Sequence, residues 1–259
     1  MPDPNELRFD IPHSARVWNY WLGGKDNFPP DREVGDKVAA LHPEILVIAR
    51  QARQFLLRAV TFLAGEAGID QFLDIGTGLP TMQNTHEVAQ LIRPTASIVY
   101  VDNDPMVLAH ANALLTNVSP EGRTAYIHAD VREPEQIITE ARAQLDFSRP
   151  VAVMLLGILG HATPDFADML QVIHTLMAAV PSGSYLVLQD GSDTSETGRV
   201  TAEMNNGYAL RSPDEFRECF AGLDLVEPGV VSSPFWRPEP TDIGEPQHID
   251  LYGAVGRKP

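Results

Sequence analysis

Residues 72–81 read FLDIGTGLPT, a hydrophobic run that ends in an acid and two closely spaced glycines. Two glycines one residue apart let the backbone turn sharply at the end of a strand and let a ligand approach the main chain closely. The carboxylate of Asp74 lies at the mouth of this turn, where it would repel the pyrophosphate of a dinucleotide. It would attract an ammonium or sulfonium group, by roughly 4 kcal/mol for an ideal pair at about 4 Å in an effective dielectric of about 20. The stretch therefore predicts a turn that receives a cationic ligand.

The rest of the chain alternates between short apolar runs and longer stretches with helical spacing. The apolar runs predict strands at 71–75, 97–102, 124–130, 151–158 and 184–190, and the spacing predicts helices at 81–93, 105–116, 134–145 and 164–180. Continuous apolar strands separated by helices favour a parallel sheet that is buried on both faces. Residues 225–231 and 249–256 then predict two strands joined by a proline-rich loop, which indicates an antiparallel final pair.

The N-terminal 68 residues carry no strand signal. Residues 44–63 keep one apolar stripe at helical spacing, which predicts a helix that packs on the sheet. Residues 14–28, which read SARVWNYWLGGKDNF, have no clear period, and we do not expect an ordinary helix there. The chain is therefore divided into an N-terminal arm with helices, residues 1–68, and a sheet domain, residues 69–259.

Three dipeptides place a capping oxygen before a proline at the first helical position, where proline costs little. They predict helix starts at Asp104-Pro105, Thr163-Pro164 and Ser212-Pro213.

Composition excludes several classes of protein. The 259 residues carry a net charge of -16 and the only lysines are Lys25, Lys37 and Lys258, so a nucleic-acid partner is not expected. Cys219 is the single cysteine, which excludes an intramolecular disulfide and a cysteine-rich zinc site, and we predict no metal. The polar N-terminus and the lack of a long apolar run predict a cytoplasmic protein without a membrane partner.

The Asp-x-Gly-x-Gly pattern of residues 74–78 resembles the first motif of the class I S-adenosylmethionine-dependent methyltransferases. That motif usually has a third glycine where this chain has Pro80, and a dehydrogenase turn would need glycine at Thr81. Residues 14–28 resemble the N-terminal signature of a small bacterial subgroup of these methyltransferases whose substrate is generally unassigned. The resemblance implies a doubly wound, mostly parallel α/β sheet of seven strands with an antiparallel last strand, and S-adenosylmethionine as cofactor.

Three acids end three consecutive predicted strands, where open parallel sheets bind ligands. Asp102 can accept hydrogen bonds from two ribose hydroxyls, and each charge-assisted bond contributes roughly 1.5–3 kcal/mol. By resemblance, Asp130 accepts from the adenine amino group, Val131 adds an apolar contact, and Lys25 pairs with the methionyl carboxylate. The full predicted cofactor set is Tyr20, Lys25, Asn27, Asp74, Gly76, Thr77, Gly78, Asp102, Asn103, Asp130, Val131 and Gly157. For each acid taken singly, a helix cap or solvated strand end is the alternative.

The acceptor side offers fewer signals. His161 is the candidate general base, with a histidine satisfied by local backbone as the alternative. Asp190 could bind an amine of the acceptor or merely end its strand. Trp236 could form one side of an apolar acceptor pocket or pack in a small core within its own loop.

The leading hypothesis is a methyltransferase (EC 2.1.1 class) that uses S-adenosylmethionine on a small molecule. The alternatives are a protein that binds the cofactor or its product without catalysis, and a nicotinamide-dependent oxidoreductase. The oxidoreductase would need a Tyr-x-x-x-Lys pair, which the chain lacks. The arm is either a lid over the cofactor or a fixed plug whose aromatic residues are packing.

Overall fold

The fold is built on one sheet, seen in a computed structural model that describes residues 8–79, 83–107, 117–195, 198–199, 202, 208–239 and 245–259. Within these residues the sheet has eight strands in the order β3-β2-β1-β4-β5-β8-β6, and β7 also pairs with β8. The strands are β1 (Gln71–Ile75), β2 (Ser97–Asp102), β3 (Arg123–His128), β4 (Ala152–Leu156), β5 (Tyr185–Gly191), β6 (Asp224–Leu225), β7 (Val231–Ser232) and β8 (Leu251–Arg257). Strands β1 to β5 are parallel and β8 runs antiparallel to β5. The order reverses between β1 and β4, which makes this edge the expected place for a ligand.

Helices cover both faces of the sheet. They are α1 (Ser14–Trp21), α2 (Pro29–Leu41), α3 (Ile45–Gly65), α4 (Thr85–Ile92), α5 (Pro134–Ala141), α6 (Leu159–Ala162), α7 (Phe166–Ala179) and α8 (Pro213–Glu218), with a 3-10 helix at Ser233–Phe235. Side chains alternate along β1, so that Phe72 joins the core under α3 and α4 while Leu73 and Ile75 join the core under α5 and α7. The doubly wound α/β prediction is therefore confirmed. No helix of the described residues is long and apolar enough to cross a membrane.

The sequence places most elements correctly and some ends wrongly. The two strands predicted at 71–75 and 97–102 have the predicted bounds, and the final pair is antiparallel. The strand predicted at 225–231 is instead two short strands, because a turn closed by Gly229 N–H and the carbonyl of Val226 interrupts it. The sheet therefore has eight strands in the described residues rather than seven.

Two of the three predicted helix starts are correct. Ser212 caps α8 through its hydroxyl, and Asp104 accepts from the amide of Met106 at 2.9 Å. Thr163 does not cap α7, because its hydroxyl donates to the carbonyl of Leu159 and Asp165 provides the cap.

Helix α4 begins at Thr85 rather than at 81. Residues 80–82 and 108–116 lie outside the described residues. They include Pro80, Thr81 and most of the helix predicted at 105–116.

The arm contains two helices that the sequence did not predict, α1 and α2. Residues 14–21 form α1, and Gly23 with a φ of 78° turns the chain behind it. Gly24 must be glycine because an added Cβ would lie 2.5 Å from the side chain of Asn19. Asn19 accepts hydrogen bonds there from the amide of Asp26 and from Asn27. The aperiodic composition of this segment comes from the turn that ends the helix.

A buried carboxylate joins α1 to α2. Asp31 accepts from the backbone amides of His13 and Phe28 at 2.9 and 2.8 Å, and its ion pair with the buried guanidinium of Arg16 measures 3.0 Å. All of these donors lie at the start of α1 or α2, so one side chain determines how the two helices meet.

We expect Asp31→Ala to destabilise the protein by about 3–5 kcal/mol, because it leaves Arg16 buried without its carboxylate. Urea unfolding followed by circular dichroism measures this. Glu33→Ala is the matched control, since Glu33 lies on the same helix but pairs with Lys37 in solvent, and it should leave the unfolding midpoint unchanged. Equal midpoints for the two variants would contradict the proposed role of Asp31.

Candidate functional site

A cavity of about 360 Å³ lies at the carboxyl ends of the parallel strands, within the range of small-molecule sites. Its floor is formed by the turns that follow β1 to β4, and helix α1 covers it. Ala15 of α1 lies 3.8 Å from the position that a Cβ on Gly78 would occupy. The cavity is therefore formed by the sheet and the N-terminal arm together.

The turn after β1 has the backbone that the two glycines predict. Gly76 and Gly78 have φ angles of 75° and 61°, in the left-handed region that favours glycine. An added Cβ on Gly76 would lie 2.5 Å from Ile158, so this glycine also allows the β1 and β4 turns to meet. Thr77 lines the cavity between them.

Asp74 lies at the bottom of the cavity and is almost completely buried. Burial raises its pKa to about 6, while the hydroxyl of Thr85, which donates to it at 2.6 Å, and the charge of Arg53 act in the opposite direction. Arg53 also lines the cavity and donates to Asn84. Arg53 was not predicted from the sequence, because an arginine beside an apolar helical stripe has no signal that separates it from a solvated residue.

Asp102 at the tip of β2 connects the glycine turn to the next loop. It accepts from the amides of Gly78 and Asp104 at 2.8 and 2.9 Å. Burial raises its pKa, and these two backbone donors oppose the increase. A carboxylate that is held from two sides keeps a defined orientation toward the cavity, where Asn103 also lies.

Asp130 after β3 is already engaged by neighbouring side chains. Arg132 forms a two-point ion pair with it, at 2.9 and 2.6 Å, and Asn103 donates to the same carboxylate at 3.1 Å. The hydrogen bonds from Arg132 lower the pKa of Asp130 to about 2. Asp130, Val131 and Arg132 line the cavity together. A ligand amino group that reaches Asp130 must therefore share it with Arg132.

The opposite end of the cavity follows β4 and β5. Gly157, with a φ of 78°, lines it beside His161, and Tyr208 closes it. The hydroxyl of Tyr208 donates to buried Asp190 and accepts from the amide of Gly191 at 3.0 Å. Tyr208 was not predicted, because it comes to the cavity from a segment without strand or helix periodicity.

Four predicted residues lie away from the cavity. Tyr20 donates to Asp36 at the surface, Lys25 is exposed, and Asn27 holds the turn after α1, so none of the three lines the cavity. Asp190 is fully buried behind the cavity wall, where it accepts from Tyr208 and does not line the cavity.

The prediction for Trp236 is also corrected by the structure. Its side chain is completely buried and packs edge-on against Phe55 and Phe62 of α3, in the core on the α3 side of the sheet. Arg58 holds this loop by donating to the carbonyls of Ser233 and Trp236, both at 2.8 Å. Trp236 therefore neither lines the cavity nor closes a separate core within its loop, and it is part of the core between α3 and the sheet.

Comparison with known proteins gives one family and several similar structures. The family model described as S-adenosyl methyltransferase matches residues 2–259. A DUF574 family protein from Streptomyces avermitilis MA-4680 is 43% identical, with a TM-score of 0.90 over 97% of this chain and 99% of that one. A provisionally assigned methyltransferase from Thermobifida fusca YX is 43% identical, with a TM-score of 0.89 over 99% and 98%.

A more distant structure shares the fold alone. The plantazolicin methyltransferase BpumL, solved with SAH and a triazolic desmethylPZN analog, is 12% identical with a TM-score of 0.51 over 95% of this chain and 96% of that one. No protein with a curated description matches the chain.

The buried carboxyl of Asp74 should destabilise the folded protein, and this destabilisation should become larger as the pH rises. Its pKa is raised from 3.8 to about 6, so the folded state holds the proton more tightly and its free energy of unfolding falls as pH rises from about 4 to 6. Asp74→Asn removes this titration and keeps an oxygen for Thr85. Its stability relative to the parent should therefore improve between pH 4 and pH 8, by on the order of 3 kcal/mol.

Urea unfolding of both proteins at the two pH values measures this difference. Asp224→Asn, which removes an exposed acid of β6 outside the cavity, is the control. A change of equal size in the control, or none in Asp74→Asn, would show that another group causes the pH dependence.

Proposed function

The chain belongs to the S-adenosyl methyltransferase family, and from this premise we propose that it transfers a methyl group from S-adenosylmethionine to a small molecule. The observation that carries the proposal is the set of carboxylates Asp74, Asp102 and Asp130, which lie at the carboxyl ends of β1, β2 and β3 and line one cavity beside the glycine turn. The covered cavity favours a small acceptor over a macromolecule.

The residues present fit the cofactor. We assign its ammonium group to Asp74, which sits deep in the cavity, and its ribose hydroxyls to Asp102, whose carboxylate is already oriented by two amides. Arg53 takes the role for which the sequence suggested Lys25, because it is the arginine that lines the cavity near Asp74. The adenine then lies near Val131, where Asp130 and Asn103 offer polar contacts.

The bound cofactor supplies a methyl group that is already activated by the sulfonium, so the protein's main task is alignment. Alignment of two reactants can contribute roughly 7–11 kcal/mol. Helix α1 lies over the glycine turn, with Ala15 next to Gly78, and this position supports the proposal that the arm is a lid. His161, at the β4 end, is the proposed general base.

Turnover separates an enzyme from a protein that only binds the cofactor. Purified protein should bind S-adenosylmethionine in calorimetry and should release S-adenosylhomocysteine, measured by chromatography, when an acceptor is added. Binding without turnover across an acceptor library would favour the non-catalytic alternative. Binding of NADH in place of S-adenosylmethionine would overturn the proposal.

Asp102 provides a specific test of cofactor placement. Asp102→Ala should weaken S-adenosylmethionine binding by at least tenfold, because each lost charge-assisted hydrogen bond is worth about 1.5–3 kcal/mol and tenfold is about 1.4 kcal/mol. Asp102→Asn keeps an acceptor for the amide of Gly78 and therefore tests the charge without removing the turn's support. Calorimetry gives both affinities, with Asp224→Ala as the exposed control. Parental affinity in both Asp102 variants would rule out the ribose assignment.

A further inference from the structure

Among the described residues, the aspartates and arginines that line the cavity are confined to one half of it. Asp102, Asp130 and Arg132 follow β2 and β3, while Asp74 and Arg53 lie at β1. Neighbouring strands lie about 4.8 Å apart, so the tips of β3 and β5 are separated by roughly 19 Å in this strand order. In the described part of the chain, no aspartate, glutamate, lysine or arginine lines the cavity at the tips of β4 and β5.

Asp190, the nearest acid at that end, cannot serve a ligand. Its carboxylate already accepts from the amides of Gly160 and Gly191, both at 2.9 Å, and from the hydroxyl of Tyr208. It is fully buried and does not reach the cavity surface. A cationic or an anionic acceptor would therefore find no described countercharge at this end.

The wall at this end is aromatic. Glycine is required on both sides of the Tyr208 ring, because an added Cβ would lie 2.6 Å from it at Gly160 and 2.7 Å from it at Gly191. The ring of His161 meets that of Tyr208 edge-on at 4.6 Å, and Trp18 of α1 lines the cavity with them. Such rings suit a flat apolar molecule.

His161 is placed to accept a proton. It lies exposed at the cavity mouth, but the protein atoms around its ring desolvate it and lower its pKa, while Asp190 of β5 raises the pKa and His13 before α1 lowers it. The hydroxyl of neighbouring Tyr208 donates its hydrogen bond to Asp190 and keeps its proton, so Tyr208 does not compete as a base. Neutral imidazole is the form that can take a proton from an acceptor.

We infer that the methyl acceptor is an uncharged, flat molecule with an acidic hydroxyl group, of the phenol or enol class, and that His161 takes its proton. This inference rests on the proposed methyltransferase function. The acceptor oxygen forms a bond to the methyl carbon, the carbon–sulfur bond breaks with both electrons going to sulfur, and the hydroxyl proton moves to the imidazole. The products are a methyl ether, S-adenosylhomocysteine and an imidazolium that returns its proton to solvent. Tyr208 acts as a positioning residue, because it packs against His161.

Binding of 4-nitrophenol to the full chain loaded with S-adenosylhomocysteine tests the acceptor class without turnover. The yellow absorbance of the phenolate reports both occupancy and ionisation. At a pH below the pKa of free 4-nitrophenol but above that of benzoic acid, where the free phenol is uncharged, we expect 4-nitrophenol to bind at least tenfold more tightly than benzoate or benzylamine, which are similar in size but charged. We also expect its bound phenol to titrate at a lower pH in the parent than in His161→Gln. His174→Gln, a histidine exposed on α7 outside the cavity, should titrate as the parent does.

Turnover gives a second reading on the same variants. With S-adenosylmethionine present, the absorbance should fall as the ether forms, and His161→Gln should lose about 10²-fold or more in kcat while its affinity for the cofactor is kept. Tighter binding of benzoate or benzylamine, or parental titration and kcat in His161→Gln, would overturn the inference. Calorimetry with S-adenosylmethionine distinguishes the two failures, because protein that binds the cofactor but not the phenol refutes only the acceptor class.

Discussion

The site depends on the backbone turn between β1 and α4. Positive φ angles at Gly76 and Gly78 carry the chain off the sheet edge at once, and the amide of Gly78 then reaches the carboxylate of Asp102 on the neighbouring strand. A bulkier residue at Gly76 would collide with Ile158 after β4. The turn thus brings the tips of β2 and β4 to the same cavity. It also leaves room for α1 to cover that cavity. The same turn therefore determines both the strand ends that form the bottom of the cavity and the position of the helix that covers it.

The cavity keeps two of its three carboxylates, Asp74 and Asp102, in surroundings that disfavour their charge. Burial raises the pKa of both Asp74 and Asp102, and Arg53, Thr85 and backbone amides compensate only in part. A group whose pKa is shifted upward in this way lowers stability at neutral pH. Binding of a cation relieves part of that cost, so the same burial that destabilises the empty site increases its affinity for a cationic nucleoside. Stability and recognition are opposed at these positions.

The parts of the site that could be predicted are those that follow from strand periodicity. Each acid of the set Asp74, Asp102 and Asp130 ends an apolar run, and parallel strands bring such ends to one edge. Arg53 and Tyr208 could not be predicted, because they reach the cavity through the packing of α3 and of an aperiodic segment. The error at Trp236 has a similar origin, since the direction of its loop depends on contacts with Phe55 and Arg58, far away in the sequence.

Three of the N-terminal residues, Gly24, Asn27 and Asp31, contribute to the site without lining its cavity. Gly24 leaves space for the side chain of Asn19, and Asn27 donates a hydrogen bond to Asn19 that stabilises the turn. Asp31 holds the start of α1 against α2 through its ion pair with Arg16. Together they determine where α1 lies above the glycine turn. Lys-Asp-Asn at 25–27 resembled a set of ligand contacts because polar residues in an aperiodic segment suggest function. Asn27 holds the turn after α1 instead, and the cavity is lined by residues along α1 itself, among them Ala15, Trp18 and Asn19. A binding signature in a sequence can therefore identify the residues that position a site rather than those that form it.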